Sequence, residues 1–386
     1  MPGGLPSRAD VVVIGGGIAG AATAAFLAEG GASVVLVERE AVAAGASGRN
    51  SGVVQAPLDT VLAAMYRDTL AEYRLLEESG AGSFALPAEP AGLLHVTRRP
   101  EVAMGLAVAL AATHPELSPE YLDGEALAAV EPSLHPAVAA CRVAIGYPVA
   151  PAAATRAYAA LGESYGVRIG VGLPCGLVVQ KGRVSGVRTG PRDFVLADAV
   201  VVAAGPWTPE VVDPTGRWRP IEALWGVVAE VDLASPPRHV LEEAEIDVTI
   251  EPGSGGRPAA VADEPDGLAF SLVTAAGRSV LGSTFLETEP DPDALVPAIR
   301  RRGATFVPAL AHAPLLATRR CARPLSADGR PLVGRVPWLD GVFVVAGHGP
   351  WGISTGPGTA RLLADLVLGH RAGVPEALDP ARFGGP

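Results

Sequence analysis

The stretch VVVIGGGIAGAATAAFLAEGGASVVLVE, Val11 to Glu38, decides the fold. Val11 to Ile14 are β-branched and apolar, as a parallel strand buried on both faces requires. Gly15, Gly17 and Gly20 then fall in the G-x-G-x-x-G register. The first glycine permits a tight turn, the second lets backbone amides approach a pyrophosphate, and the third lets the helix lie close on the sheet. The small residues Ala21, Ala22, Ala24 and Ala25 suit that close packing, Gly30 and Gly31 end the helix, and Ala32 to Val37 supply a second strand. Glu38 closes it at the distance where an acid meets the ribose hydroxyls. The stretch therefore reads as a βαβ nucleotide-binding unit. A signal peptide or membrane span is the competing reading, since Val11 to Ala28 carries no charge. Asp10 before the run, Arg8 as its lone basic flank and the internal glycines all oppose it.

Outward from this unit, 386 residues suggest about two domains. The net charge of −11 and pI near 5.2 argue against a nucleic-acid partner. No other apolar run approaches the ~20 residues a membrane span needs. Cys141, Cys175 and Cys321 are odd in number and widely spaced, which implies neither a disulfide framework nor a metal site. A cytoplasmic protein is expected. Lys181 is the only lysine.

After Glu38 comes a glycine and serine loop, AVAAGASGRNSGVV, which either crosses a cofactor or is a solvated turn. Periodicity predicts helices over 61–78, 100–112, 124–130 and 152–165, a strand over 91–97, another over 167–172, and a hairpin over 176–187. ADAVVVAAG, Ala197 to Gly205, reads as a second buried parallel strand stopping at a glycine. From about Arg217 to Arg320 the pattern changes to strands at 224–231, 247–250, 268–272 and 278–283, with a helix at 292–302. A last strand at 341–346 leads through GHGPWG into a helix ended by Gly369. The expected fold class is an α/β, Rossmann-like nucleotide-binding domain with an α+β substrate domain built on an antiparallel sheet. The expected boundaries give the first domain residues 1–85, 151–214 and 321–386, and the second 86–150 and 215–320.

Four blocks together resemble the D-amino-acid oxidase family of FAD-dependent oxidoreductases, in its glycine oxidase, sarcosine oxidase and D-amino-acid dehydrogenase branch. They are GGGIAG with Glu38, ASGRNSG, VVVAAGPW, and ARPLSADGRPLVG paired with AGHGPWG. The resemblance implies FAD, held at its pyrophosphate by Gly15, Gly17 and Gly20 with Ile18 and Ala19 between them. Glu38 would take the ribose, and Arg39 and the Cys175 backbone would lie by the adenine. Ser47, Gly48, Arg49, Asn50, Ser51 and Gly52 would run along the flavin and its diphosphate. Ala204 and Gly205, followed by Trp207, would close over the pyrophosphate. Gly347, His348, Gly349, Trp351, Gly352, Ile353 and Ser354 would meet the pyrimidine side of the ring. There the helix dipole favours the negative charge of the reduced form.

For the substrate, the resemblance places Arg323 against a carboxylate, a bidentate match suited to arginine. The alternative is an arginine paired with an internal acid such as Asp328. His348 is expected to shape the turn or touch the flavin, with a general-base role as its alternative. Trp351 and Tyr147 are candidates to line the pocket. The sequence departs from relatives that carry a lysine near Trp351 or an arginine near Pro350. Cys321 stands where covalently flavinylated relatives carry their cysteine, and a small buried residue is the other reading of it. No lysine falls near Arg278 to Ser283, where such relatives use one toward oxygen, and Arg278 is a weak substitute. The expected reaction is hydride removal from the carbon beside nitrogen in an amino acid or amine, giving an imine, with oxygen or a carrier as electron acceptor. Oxidation of a 2-hydroxy acid, or nucleotide binding without redox turnover, are the alternatives.

Overall fold

The structure, a computed structural model, describes residues 4–244 and 267–386. Two eight-stranded sheets organise it. The first runs in the order Leu332–Arg335, Val342–Ala346, Phe194–Val202, Arg8–Ile14, Val34–Val37, Arg168–Gly170, with the hairpin Gly176–Gln180 and Arg183–Arg188 branching from Phe194–Val202. Arg8–Ile14 pairs in parallel with both Val34–Val37 and Phe194–Val202, and the latter pairs in parallel with Val342–Ala346. Such strands are covered on both faces and are correspondingly apolar; Val12, Val13, Val35, Leu36, Val200 and Val344 are completely buried.

The alanine-rich helix Ile18–Glu29 is buried along nearly its whole length between Ala153–Ser164 and Gly352–Val367. Small side chains make this possible. A Cβ on Gly20 would sit 2.0 Å from the Gly15 carbonyl oxygen, so only glycine lets the helix start this close to the turn.

The second sheet runs in the order Leu315–Ser326, Ile221–Val231, Arg278–Thr284, Leu268–Ala275, Val240–Glu243, Leu93–Thr97, Ala139–Val143, Glu120–Leu122. Its pairs are antiparallel except Val240–Glu243 against Leu93–Thr97. One face packs on the helix Pro292–Phe306 through Leu94, Leu241, Phe270, Leu272 and Leu281. The opposite face meets the first domain.

The strand Leu315–Ser326 differs most from expectation, because it carries the second sheet past residue 320 and through the Cys321 block. Its sequence, LLATRRCARPLS, hides the strand: arginines occupy its site face and Pro324 interrupts the pattern. Proline is tolerated because this strand is the edge of the sheet. The expected loop 46–52 also contains a short helical turn, Ala46–Arg49, and Val53–Val54 pairs with Tyr147–Pro148. The strand expected at 247–250 lies outside the described residues.

Candidate active site

Four chain segments leave the first sheet at one edge, because Ile14, Val37, Val202 and Ala346 end parallel strands. The residues that follow them are Gly15, Glu38, Ala203 and Gly347, so the sequence blocks converge where a doubly wound sheet offers its crevice. Gly15 has φ +111°, and a Cβ there would meet the Ala203 carbonyl at 2.3 Å. Ala203 N donates to Ile14 O at 2.8 Å, and Ala204 and Gly205 lie beside this turn.

The helix Ile18–Glu29 begins with no side-chain cap at Gly17 and no acid in its first turn. Ile18 N donates to Ser47 Oγ at 2.9 Å, which ties the 46–52 loop over the helix start. The first amides of this helix, Ala19 and Gly20 among them, point out of its start, where the helix dipole favours an anion. A Cβ on Gly17 would come 3.1 Å from Ser47 Oγ, filling the space a phosphate needs. Glu38 is half-buried beside them; its Oε2 accepts from Gly16 N at 2.7 Å and its Oε1 from Glu40 N at 2.8 Å. These bonds fix the carboxylate and leave lone pairs for hydroxyl donors. Burial and the nearby Glu38 charge push the Cys175 thiol up to about 12, which places it at the same end. The Arg39 guanidinium stacks 3.7 Å over the Trp207 ring. Cradle, helix start and acid fit a dinucleotide such as FAD.

Asn50 behaves differently from its neighbours. Its amide donates to Ala46 O and Ser47 O and accepts from Gly52 N, so it shapes the loop rather than facing a ligand. Ser354 Oγ accepts from Gln55 N at 3.1 Å, and Ile353 O accepts from Tyr73 Oη at 2.6 Å. The helix Gly352–Val367 thus starts, uncapped, against the segment 50–55. Gly347 and Gly349 turn into it with φ +89° and +53°. His348 is buried and its imidazole is pushed down to about 4 by desolvation. Thr359 Oγ1 lies 2.8 Å from both Gly356 O and His348 Nε2, so the imidazole is tied to the first turns of the helix Gly352–Val367.

On the second sheet, Arg323 projects from Leu315–Ser326 across its neighbour. Gly226 makes room, since a Cβ there would meet the guanidinium at 2.4 Å. Arg323 Nη1 donates to Thr284 O at 2.8 Å and Nη2 to Ser283 Oγ at 2.6 Å, while the group lies 4.5 Å over the Phe285 ring. No acid partners it among the described residues. Asp328, the internal acid considered above, pairs with Arg382 at 2.7 Å instead. Phe285 packs with Trp351, whose indole is buried with Leu62 and Ala269 and whose Nε1 has no hydrogen-bond partner. Tyr147 is half-buried near Tyr66, whose hydroxyl burial pushes well above its usual range.

Cys321 is buried on the same strand, and burial pushes its thiol up against the opposing charges of Arg323, Arg49 and Arg319. Arg319 donates to Glu230 Oε2 at 3.1 Å and to Asn50 O at 3.4 Å. Arg278, the weak substitute cation, is largely exposed and lies 3.8 Å from the same Glu230. Lys181 sits in the hairpin turn with φ +51°. Sequence reasoning misses Gln55, Ser283 and Arg319, because none belongs to a local motif; only the charge excess at Arg319, Arg320 and Arg323 hinted at the last.

This geometry defines a two-domain protein with a dinucleotide cradle facing a cationic sheet. The family model "FAD dependent oxidoreductase" (DAO) matches residues 10–366, and the chain belongs to that family, whose enzymes bind FAD. A 4-methylaminobutanoate oxidase (formaldehyde-forming) from Paenarthrobacter nicotinovorans is 28% identical over 99% of this chain and 46% of its own length. A glycine oxidase from Pseudomonas aeruginosa is 29% identical over 52% of this chain and 49% of its own. The chain spans about half the length of these curated relatives. The crystal structure of glycine oxidase from Bacillus cereus superposes with a TM-score of 0.79 at 22% identity, covering 95% of this chain and 99% of that one, a likeness of fold. Among the described residues no helix is long and apolar enough to cross a membrane, and no His, Cys, Asp or Glu group could hold a metal.

Proposed function

We propose that this protein is an FAD-dependent oxidoreductase acting on the C–N bond of an amino acid or related amine. FAD, when bound, supplies the acceptor for a hydride from the carbon beside nitrogen, and the imine formed hydrolyses in water. Gly15, Gly17, Gly20 and the start of Ile18–Glu29 hold the diphosphate, and Glu38 the ribose. The start of Gly352–Val367 points its amides at the ring. Arg323 carries the reading: a guanidinium held flat by Ser283, Thr284 and Gly226, with no acid of its own among the described residues, is ready for a carboxylate. Amine oxidation needs a neutral amine and no base, so it makes no demand on the buried His348. The 2-hydroxy-acid alternative needs a base at the hydroxyl, and an imidazole that burial pushes down to about 4 is a weak one. A screen of amines, amino acids and hydroxy acids with an artificial electron acceptor tests the proposal. Activity confined to hydroxy acids, or a colourless purified protein, would overturn it.

Two finer features belong to the same proposal. The nearby charges of Arg323, Arg49 and Arg319 support a covalent bond from Cys321 to the flavin, with a small buried residue as the alternative; acid-denatured protein that releases all its yellow colour would exclude the bond. The electron acceptor is a carrier rather than oxygen, because no lysine lies near the sheet face to stabilise superoxide. Substrate-reduced protein should reoxidise in air-saturated buffer more slowly than it turns over with an artificial acceptor, and equal rates would make it an oxidase.

A further inference from the structure

One cross-strand row on the second sheet runs His95, Glu242, Ser271, Gly282, Val228, Arg319. Directly paired residues share a face, so Glu242 lies on the same side as Arg319, Cys321 and Arg323. The segment Asn50 to Gln55 spans this face: the Asn50 carbonyl takes Arg319 at one end, and Gln55 Nε2 donates to Glu242 Oε2 at 3.2 Å at the other.

Gln55 keeps only 5% of its surface exposed, and its Oε1 is buried with no hydrogen-bond partner. The orientation of the amide follows from chemistry. A carboxylate only accepts, so the NH₂ must face Glu242 and the carbonyl oxygen must point the other way. A buried amide acceptor left unpaired is costly and calls for a donor. Gln55 N is bonded to Ser354 Oγ, so this residue sits where Gly352–Val367 begins, between the two domains. Arg323 is anchored at Ser283, next to the row, and Glu242 stands two strands away, about 10 Å at the usual strand spacing. The two groups therefore share the site face of the sheet, with a fixed cation on one side and a fixed neutral acceptor on the other.

We propose that Gln55 is a specificity-determining residue: its Oε1 accepts an N–H of the substrate while Arg323 takes the carboxylate, so the site selects amino carboxylates over plain ones. Glu242 acts as a positioning residue that orients the amide. This rests on the amino-acid or amine reading above and sharpens its substrate class.

The test is calorimetric binding to the flavin-loaded protein, chemically reduced and kept free of oxygen so that no ligand is turned over, of two matched pairs: glycine with acetate, and 4-aminobutanoate with butanoate. The wild type should bind the amino member of at least one pair about tenfold or more tightly, the scale of a hydrogen bond to a charged group. Gln55→Met should bring that ratio to within about twofold and leave the plain carboxylate unchanged, which also shows that the site is intact. Should Gln55→Met not fold, Gln55→Glu, which keeps an acceptor, must retain the preference. Arg323→Leu should weaken both members alike. No preference in the wild type, or a preference that survives Gln55→Met, overturns the proposal. A flavin-loaded protein that binds only plain carboxylates overturns it while leaving the Arg323 reading standing; a protein without flavin removes the reading on which both rest.

Discussion

The cofactor cradle and the substrate-facing sheet are built from different material. The cradle is backbone: glycine turns, a helix start and one acid, nearly all within Gly15 to Glu38. The sheet face is side chain: Arg323, Ser283, Glu242 and Arg319 come from three different strands, with Gln55 supplied by the other domain. A diphosphate is common to many enzymes and can be met by amides that any sequence supplies, provided glycines let it close. A substrate must be told from its analogues, and that requires donors, acceptors and charge at separate points in space. The first region should fail through loss of shape, the second through loss of a particular interaction with the fold intact.

The largest expected break comes on the substrate side. Arg323→Leu should lower kcat/KM for carboxylate substrates by about 2–5 kcal/mol in transition-state terms and spare a descarboxy amine. Steady-state kinetics on the pair decides it; equal losses would mean that Arg323 instead props Ser283 and Phe285. His348, between the two regions, should show as a pH effect. Burial holds its folded value at about 4, below the ordinary 6.5. The unfolded chain then takes up the proton first, so stability is full above about pH 6.5 and falls as pH drops toward 4, by about 3 kcal/mol. Denaturant melts of wild type and His348→Gln across that window should differ in slope, and parallel curves would show that His348 is not the group responsible.

On the cradle side, Gly20→Ala forces a Cβ to 2.0 Å from the Gly15 carbonyl. The helix must shift, at about 1–3 kcal/mol of stability. Flavin content should fall with it, in contrast to Arg323→Leu, and a fully loaded Gly20→Ala protein of wild-type stability would break the distinction between the regions. Glu38→Ala is a gentler probe. It removes one acceptor and should weaken FAD binding by about 1–3 kcal/mol. Full flavin content with unchanged affinity would remove Glu38 from the site.

The sequence by itself determined the cradle, because Gly15, Gly17, Gly20 and Glu38 are spaced along one continuous chain whose strand and helix periods can be counted. It also placed Arg323 and Trp351 on paper, through blocks that carry a family pattern. It could not show that Asp328 is taken by Arg382, that Asn50 serves its own loop, or that the strand Leu315–Ser326 continues through the Cys321 block. Edge strands with charged faces lose the alternation that marks them. Only the tertiary structure decided which residues share the second sheet's site face, since Leu315–Ser326, Ile221–Val231, Arg278–Thr284, Leu268–Ala275 and Val240–Glu243 lie side by side out of chain order and no local period encodes it. Gln55 and Glu242 lie 187 residues apart, and what joins them is the crossing of one domain's loop over the other domain's sheet, set by the packing of the two layers rather than by any motif in either segment.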